Sequence, residues 1–415
     1  MTVAKTVLDS GVTIISEQLP WLRSATVGIW VPAGSRSESL PENGISHFIE
    51  HMLFKGTGRR NVADISREIE SVGGTMNAST DREYTFFFAK ALAKDFPLVA
   101  DLLCDIFLDS RFDGEELERE KGVVLQEILM AEDSPEDDLD DFFHASYWNG
   151  HPLGMPVQGR AESVSSFDRD RVVRYFGDRF RRCGTIVSVV GNLPHGQVVE
   201  GFAGALGSLP LGERLLPDAP PLPERGAFLK KRPLEQVHLV LGAPGVSRTS
   251  GQKVVAGVLN TLLGGSMSSR LFQEVREKRG LAYSIYSALS AYSDSGILKI
   301  CAGTSQDRTP ELLEVTAEVV ASVREGRFHD AEVLLAKEQI KGNLLLNLES
   351  AEYRMSRLAM DEMYFGRLEP PEEALGRVDA VTPDDVRRLA ASMLERERFS
   401  LAAVGDLPAG ARLAF

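Results

Sequence analysis

Residues 190–194 read VGNLP, and the same pattern returns 214 positions later as VGDLP at residues 404–408. At the same offset, residues 170–172 (DRV) correspond to residues 384–386 (DDV), and each triplet opens a predicted helix that leads to a strand. A repeat of this length has the size of a domain. The sequence therefore predicts that one domain occurs twice.

The two copies are separated by a proline-rich stretch, residues 209–224, which holds five of the chain's 20 prolines. It shows neither a helical nor a strand period, so we interpret it as a stiff linker. We therefore predict two homologous domains, residues 1–208 and residues 225–415.

Each copy mixes short alternating strands, such as residues 25–31 (ATVGIWV) and residues 237–241 (VHLVL), with long amphipathic helices. This mixture favours an α+β sandwich in which a mostly antiparallel sheet is covered by helices on one face. A doubly wound dinucleotide-binding fold is disfavoured because no G-x-G-x-x-G follows a strand. Residues 264–269 (GGSMSS) lack the lysine of a phosphate-binding loop and are interpreted as a connector.

The composition is that of a large soluble protein. The 415 residues are 43% hydrophobic, and no apolar run approaches the roughly 20 residues that span a bilayer. The chain starts without an apolar signal segment. The number of cysteines is odd, and Cys104, Cys183 and Cys301 are widely spaced, as expected of thiols in a reducing compartment. The net charge of −14 argues against a nucleic-acid partner. We expect a cytoplasmic protein that binds neither nucleic acid nor membrane.

The residues with the clearest chemical meaning are residues 47–51, HFIEH. Positions four apart in a helix lie one above the other, so His47 and His51 can offer imidazole nitrogens to one ion. Glu50 projects beside that pair, where it can act as a general base on water. Zinc is the natural ion for two imidazoles, an oxygen ligand and an open fourth position. The alternative is that two of the seven histidines lie near a glutamate by chance.

A second acidic stretch contains candidates for the oxygen ligand. Residues 115–130 predict a helix in which Glu120, Val124 and Glu127 share one stripe. Carboxylates on a stripe that also carries apolar side chains are costly to bury unless a cation compensates them. Glu127 and Glu120 are therefore candidates, whereas a solvated charged face is the preferred interpretation for the other glutamates of this stretch.

Together these motifs resemble the inverzincin metallopeptidases, a family that includes pitrilysin, insulin-degrading enzyme and the mitochondrial processing peptidase. The likeness depends on residues 47–51 and on residues 118–127 (EREKGVVLQE), whose last residue follows the second histidine by 76 positions. It covers nearly the whole chain. The resemblance implies that His47, His51 and Glu127 bind one zinc ion per protomer. It also implies that Glu50 is the general base and that Glu120 is a supporting acid.

The resemblance also implies a substrate-binding edge. Residues 73–80 (GGTMNAST) look like the family segment that forms a sheet edge beside the zinc. A peptide backbone can add to such an edge as an extra strand, here along Asn77 and Ala78. The alternative is an ordinary turn entering a strand, since glycine and asparagine are turn residues.

The second copy lacks the metal motif. Residues 253–263 occupy the place of the histidine-containing helix but hold no His and no Glu. Instead, Arg276 and Tyr283 resemble the family's Arg/Tyr pair, which reaches the zinc site from the opposite half of a clamshell. Both side chains are good donors to a developing oxyanion. The alternative places Arg276 on a helix surface and Tyr283 in the core of a strand.

The resemblance further implies a shared active site. Larger family members enclose a peptide with four such domains, whereas this chain has two and would form half of a clamshell. We therefore expect a homodimer that acts as a zinc endopeptidase on peptides. The alternative is a non-catalytic subunit that serves as a scaffold or peptide-binding partner, which the intact set of motif residues disfavours. A zincin of the forward H-E-x-x-H type is excluded because no His-Glu pair occurs.

The remaining histidines, including His144 and His151, are interpreted as structural. Tyr286 and the three phenylalanines at residues 86–88 are expected in the core, as is usual for aromatic strand residues.

Overall fold

The computed structural model describes residues 2–181, 184–210 and 219–407. Cys183, residues 211–218 of the predicted linker and Pro408 of the repeated motif lie outside the described residues. The chain divides into two compact units, each assembled from three segments. Unit 1 comprises Met1–Met130, Met155–Asp218 and Asn347–Leu368, and unit 2 comprises Ala131–Gly154, Ala219–Leu346 and Glu369–Phe415.

Strands and helices alternate along the described residues. The strands are β1 Thr2–Val7, β2 Thr13–Gln18, β3 Ser24–Val31, β4 Thr75–Thr80, β5 Thr85–Leu92, β6 Ile186–Gly191, β7 Ala227–Lys231, β8 Gln236–Pro244, β9 Ser284–Ala291, β10 Gly296–Ser305 and β11 Ser400–Gly405. The helices are α1 Ile45–Leu53, α2 Val62–Ser71, α3 Phe96–Leu108, α4 Gly114–Asp133, α5 Pro135–Tyr147, α6 Ala161–Ser165, α7 Arg169–Tyr175, α8 His195–Leu206, α9 Lys253–Leu263, α10 Thr309–Arg324, α11 Asp330–Asn347, α12 Ala351–Phe365, α13 Pro371–Asp379 and α14 Pro383–Met393. Two short π-helical segments are Phe176–Phe180 and Phe272–Glu277.

The sheet of unit 1 has the strand order β1-β2-β6-β3-β5-β4. Its neighbouring strands are antiparallel except for β2 and β6, which run parallel. The largest core of the unit lies on one face of this sheet, where α1, α3 and α8 pack. Strand β4 lies at an edge, next to α1.

The opposite face of the same sheet is covered by α12, which comes from the second half of the chain. Trp30 and Val190 point to this face because side chains alternate along a strand, and they pack with Met355 of α12. A buried ion pair of 2.6 Å between Arg354 Nη1 and Glu17 Oε1 attaches the helix to β2.

The sheet of unit 2 has the order β7-β11-β8-β10-β9, and only β7 and β11 are parallel among its pairs. Without β1, the sheet of unit 1 has the corresponding order, β2-β6-β3-β5-β4. In both sheets the parallel pair is the first one in this order. One face carries α9, α10 and α14, and the other carries α5 from the first half of the chain. Gly242 permits this close approach, because a Cβ there would lie 2.1 Å from the ring of Phe143.

The predicted α+β class with mostly antiparallel sheets is confirmed. Helices were expected on one face only, and here the structure differs: both faces of each sheet are covered. Central strands such as β6 and β11 are buried along their whole length, so both of their faces need apolar partners. The boundaries 1–208 and 225–415 stay a prediction. No helix in the described part of the chain is long and apolar enough to span a membrane.

Candidate metal centre

Helix α1 presents the two histidines of the HFIEH motif on one side. Phe48, Ile49 and Met52 are completely buried in the core of unit 1, which fixes the rotation of the helix about its axis. His47 and His51 then lie one turn apart on the remaining side, with ring centroids separated by 4.6 Å and with side chains that stay partly accessible. The helical spacing read from the sequence therefore becomes a pair of adjacent imidazoles.

Three donor atoms converge beside α1. The Nε2 atoms of His47 and His51 are 3.3 Å apart. Glu127 Oε2, from α4, lies 3.6 Å from the first and 3.5 Å from the second. Helix α4 is positioned by Val124 and Ile128, which are buried against the core of unit 1. Within the described residues, these three side chains form a group whose spacing suits a metal ion.

The donor set fits zinc. In a tetrahedral site with bonds of about 2.0–2.1 Å, ligand atoms are separated by about 3.3–3.4 Å, close to the three separations found here. Two imidazoles and one carboxylate also form the donor set of zinc sites that keep a position open. Burial, and then the charge of His51, lower the pKa of His47 to about 4, so His47 is neutral as a ligand must be. His47, His51 and Glu127 would hold the ion.

A buried carboxylate orients His51. Glu120 Oε1 lies 2.9 Å from His51 Nδ1, and Glu120 Oε2 lies 2.7 Å from Lys55 Nζ. Burial opposes a charge on His51, but the hydrogen bond to Glu120 and the charge of Glu127 outweigh it and raise the pKa of His51. Burial likewise opposes a charge on Glu120, but the contacts with His51 and Lys55 hold its pKa below the usual range. Glu120 thus accepts from His51 Nδ1–H, which leaves Nε2 free to bind metal.

Glu50 lies beside the metal ligands and is held by strand β4. Thr80 Oγ1 donates a hydrogen bond of 2.6 Å to Glu50 Oε2. Burial is the largest influence on Glu50, and together with the negative charge of Glu127 it raises the pKa of this carboxyl group. A raised pKa makes a carboxylate a better proton acceptor, as a general base requires.

Sequence reasoning missed Lys55 and Thr80. Lys55 lies two residues beyond the end of α1 at Leu53, so the periodicity of that helix carries no signal for it. Thr80 had no such signal either, because its contact with Glu50 depends on where β4 lies beside α1.

The predicted substrate-binding residues lie on an open edge next to this site. Asn77 and Ala78 pair with Phe88 and Phe87 of β5, and the other side of β4 has no described strand. Asn77 is exposed and Ala78 is half-buried. The same strand supplies Thr80, so the edge runs past Glu50.

Arg276 and Tyr283 lie in unit 2 and contact each other. The Arg276 guanidinium is 4.8 Å from the centroid of the Tyr283 ring and 4.7 Å from that of Phe272. Tyr283 is 82% exposed, so it is not a strand core residue. Their contribution to a zinc site stays a prediction. Tyr286 was expected in the core, and that prediction is wrong: it is 46% exposed, because it lies on the face of the edge strand β9 opposite to the buried Ile285 and Ser287.

Comparison with protein families and curated proteins gives the relatives of this chain. Residues 13–160 match the family model of insulinase (peptidase family M16), and residues 166–340 match that of the peptidase M16 inactive domain. An uncharacterized zinc protease of Streptomyces coelicolor is 40% identical over 414 residues, which cover 98% of this chain and 90% of the relative. Another, of Bacillus subtilis, is 37% identical over 403 residues, which cover 96% and 98%.

Solved structures share the fold. A peptidase M16 inactive domain protein from Pseudomonas fluorescens superposes with a TM-score of 0.91 at 19% identity, over 98% of this chain and 99% of that one. A protease from Helicobacter pylori gives a TM-score of 0.90 at 21% identity, over 97% and 99%. The family models and the curated relatives together span nearly all of this sequence. The chain therefore belongs to peptidase family M16, the insulinase family.

Proposed function

We propose that this protein is a zinc-dependent endopeptidase that hydrolyses peptides or unstructured protein segments. The observation that supports this proposal most directly is the convergence of His47, His51 and Glu127, with Glu50 beside them. Three protein donors leave a tetrahedral ion one free position, which is the mark of a catalytic zinc site as opposed to a structural one. We expect one zinc ion per chain.

Each residue of the centre has a separate task. A bound zinc ion would supply Lewis acidity, which polarises a peptide carbonyl and acidifies water. Glu50 accepts the proton of the attacking water and delivers it to the departing amine. Thr80 holds one oxygen of Glu50 and thereby orients the other oxygen for this transfer. Glu120 and Lys55 keep the Nδ1 proton of His51 in place.

Substrate would bind along β4. The free edge at Asn77 and Ala78 can pair with an extended peptide, whose backbone then runs past Glu50. Recognition through main-chain hydrogen bonds favours extended, unstructured segments over folded ones, because the substrate must itself form a strand. This preference supports a peptidase of flexible chains.

We further propose that the active site is completed by a second copy of the chain. The Arg/Tyr resemblance assigns Arg276 and Tyr283 to the zinc of the partner protomer in a homodimer that encloses the peptide. The exposure of Tyr283 is consistent with such a role. A cytoplasmic location fits the isolated thiols of Cys104 and Cys301.

The alternative function is that of a non-catalytic subunit, which would bind peptides as a scaffold. Such a subunit has no use for Glu50, whereas here Glu50 is present, held by Thr80, and has a raised pKa. The two functions predict different results for a substitution that removes only the base.

The decisive substitution is Glu50→Gln, which keeps the size of the side chain and removes the proton acceptor. We expect normal zinc content and a loss of turnover of about a hundredfold to ten-thousandfold. Zinc is measured by elemental analysis after dialysis, and turnover by cleavage of an unstructured fluorogenic peptide. Glu115→Gln is the matched control, since this side chain on α4 is 88% exposed and should affect neither quantity. Near-normal cleavage by Glu50→Gln would refute the mechanism, and a zinc-loaded wild type without peptidase activity would favour the non-catalytic subunit.

A further inference from the structure

We propose that Glu38 is a positioning residue of the metal centre, which anchors the first turn of α1 and thereby sets the orientation of His47. This inference depends on the proposed zinc site and adds a residue that lies outside the HFIEH motif.

Helix α1 has no side-chain cap of its own. The residue before it is Gly44, which has a φ of +92° and no side chain to offer. The first N–H groups of a helix lack partners within the helix and need an acceptor from elsewhere. Glu38 supplies it: Oε1 accepts from Ser46 N at 2.8 Å, and Oε2 accepts from Gly44 N at 2.7 Å and from Asn43 Nδ2 at 3.1 Å. A carboxylate from a preceding loop therefore takes the place of the N-cap.

This carboxylate is deeply buried. Glu38 is 3% exposed, and burial raises its pKa to about 7 while the hydrogen bonds from Ser46, Gly44 and Asn43 oppose that rise. The start of a helix favours a negative charge through its aligned peptide dipoles. Hydrogen bonds to an ionised acceptor are also stronger than neutral ones. The hydrogen bonds from the first turn of α1 to Glu38 thus lie in a water-poor environment, and they are strongest when the carboxyl group is ionised, at pH values above its raised pKa.

The partners of Glu38 are themselves held. Asn43 Nδ2 also donates to the carbonyl of Pro156 at 2.9 Å, and Ser163 Oγ donates to the carbonyl of Asn43 at 2.7 Å. Gly44 lies so close to residue 159 that a Cβ on it would come within 2.6 Å of that residue's Cα. The entry to α1 is therefore fixed from two sides, and Glu38 is the carboxyl group of this arrangement.

His47 is the metal ligand that depends on this anchor. His51 is oriented by Glu120, but Nδ1 of His47 is buried and has no hydrogen-bond partner among the described residues. The orientation of His47 must therefore come from packing and from the backbone of the first turn. That backbone is held at Ser46, the residue before His47, by Glu38. Helix ends fray when their first N–H groups lose their acceptor, and here fraying would move a metal ligand.

The test uses Co²⁺ as a probe, because its visible absorption spectrum reports the geometry of its ligands independently of peptidase activity. In Glu38→Gln the amide NH₂ replaces one acceptor oxygen and faces N–H donors, so the anchor is lost. We expect zinc binding, measured by competition with a chelator, to weaken about tenfold, as for other residues that support metal ligands, and the Co²⁺ spectrum to change. Glu38→Asp, which keeps the charge but is shorter, should fall between wild type and Glu38→Gln, and it replaces Glu38→Gln should that variant fail to fold.

Two control variants separate positioning from general destabilisation. Glu42→Gln removes a nearby carboxylate that accepts hydrogen bonds from the backbone N–H and the hydroxyl of Ser39. Val198→Ala makes a cavity in the same core, on α8, and lowers the melting temperature. Both should keep wild-type zinc affinity and the wild-type Co²⁺ spectrum.

The measurements on these variants distinguish failure of the positioning role of Glu38 from failure of the zinc site. A wild-type spectrum and affinity in Glu38→Gln would overturn the positioning role while the zinc site stands. An equal spectral change in Val198→Ala would also overturn it, because any loss of stability would then be sufficient. Absence of metal binding by the wild type would overturn the zinc site itself, and with it this inference.

Discussion

Replacing Lys55 with methionine should weaken zinc binding about tenfold, although Lys55 is not a ligand. Lys55 Nζ lies 2.7 Å from Glu120 Oε2, and the other oxygen of that carboxylate holds His51 Nδ1 at 2.9 Å. The methionine keeps most of the side-chain volume but removes the cation. Glu120 then turns or takes up a proton more easily, and His51 loses its fixed acceptor.

The magnitude follows from the position of Lys55 in this chain of contacts. Loss of a residue that directly supports a metal ligand, here Glu120, costs about 10–100-fold in affinity. Lys55 acts one contact further away and its side chain is 26% exposed, against 5% for Glu120, so water replaces part of its effect. The lower end of the range is therefore expected, about tenfold or roughly 1.4 kcal/mol.

Zinc affinity is measured by chelator competition in Lys55→Met, Glu120→Gln and the double variant. Because Lys55 acts through Glu120, the double variant should bind zinc no more weakly than Glu120→Gln alone. Lys121→Met is the matched control: Lys121 pairs at 2.8 Å with Glu118, whose side chain is 69% exposed, and its loss should leave affinity unchanged. Strictly additive losses in the double variant, or unchanged affinity in Lys55→Met, would refute the reasoning.

Three further predictions concern the same centre. Glu127→Gln should lose most of its zinc on dialysis, as shown by elemental analysis, and an unchanged zinc content would move the third ligand elsewhere, with Glu120 the first candidate. Thr80→Val removes a hydrogen bond that lowers the pKa of Glu50, so this pKa should rise further. Because the base works only when deprotonated, the acidic limb of the kcat/KM profile should shift to higher pH in this variant. An acidic limb at the wild-type position would contradict this. Finally, mixing Glu50→Gln with Tyr283→Phe under conditions of subunit exchange should restore activity. The heterodimers combine both substitutions in one active site and leave the other active site intact. A mixture that stays inactive after proven exchange would argue against the shared site.

The histidine pair could be predicted from the sequence because it depends on local periodicity: His47 and His51 are one helical turn apart in any α-helix. Periodicity also placed Glu120 and Glu127 on one helical stripe with the buried Val124, but the choice of Glu127 as the ligand came from the family resemblance. The duplicated strands were equally accessible, because the repeat preserves their order and character.

The supporting contacts could not be predicted because they depend on packing between distant segments. Glu38 reaches α1 across a loop, and Thr80 reaches Glu50 from a neighbouring strand. Tyr286 was misplaced for the same reason, since its aromatic character does not reveal which face of the edge strand β9 is covered. The second covered face of each sheet was also missed, because the helix that covers it comes from the other half of the sequence.

The position of α12 has a consequence for synthesis on the ribosome. The sheet of unit 1, on which α1 packs, needs α12, yet this helix ends at Phe365, more than 150 residues after the last strand of that sheet, β6, is made. At about 5–20 residues per second, Val190 waits roughly 9 to 35 s for its cover, and Trp30 waits longer, while apolar surface stays open to chaperones or to other nascent chains. A fragment that stops in the linker would carry every metal ligand and still be prone to aggregate. Metal loading of a stable centre is therefore expected to follow the synthesis of α12.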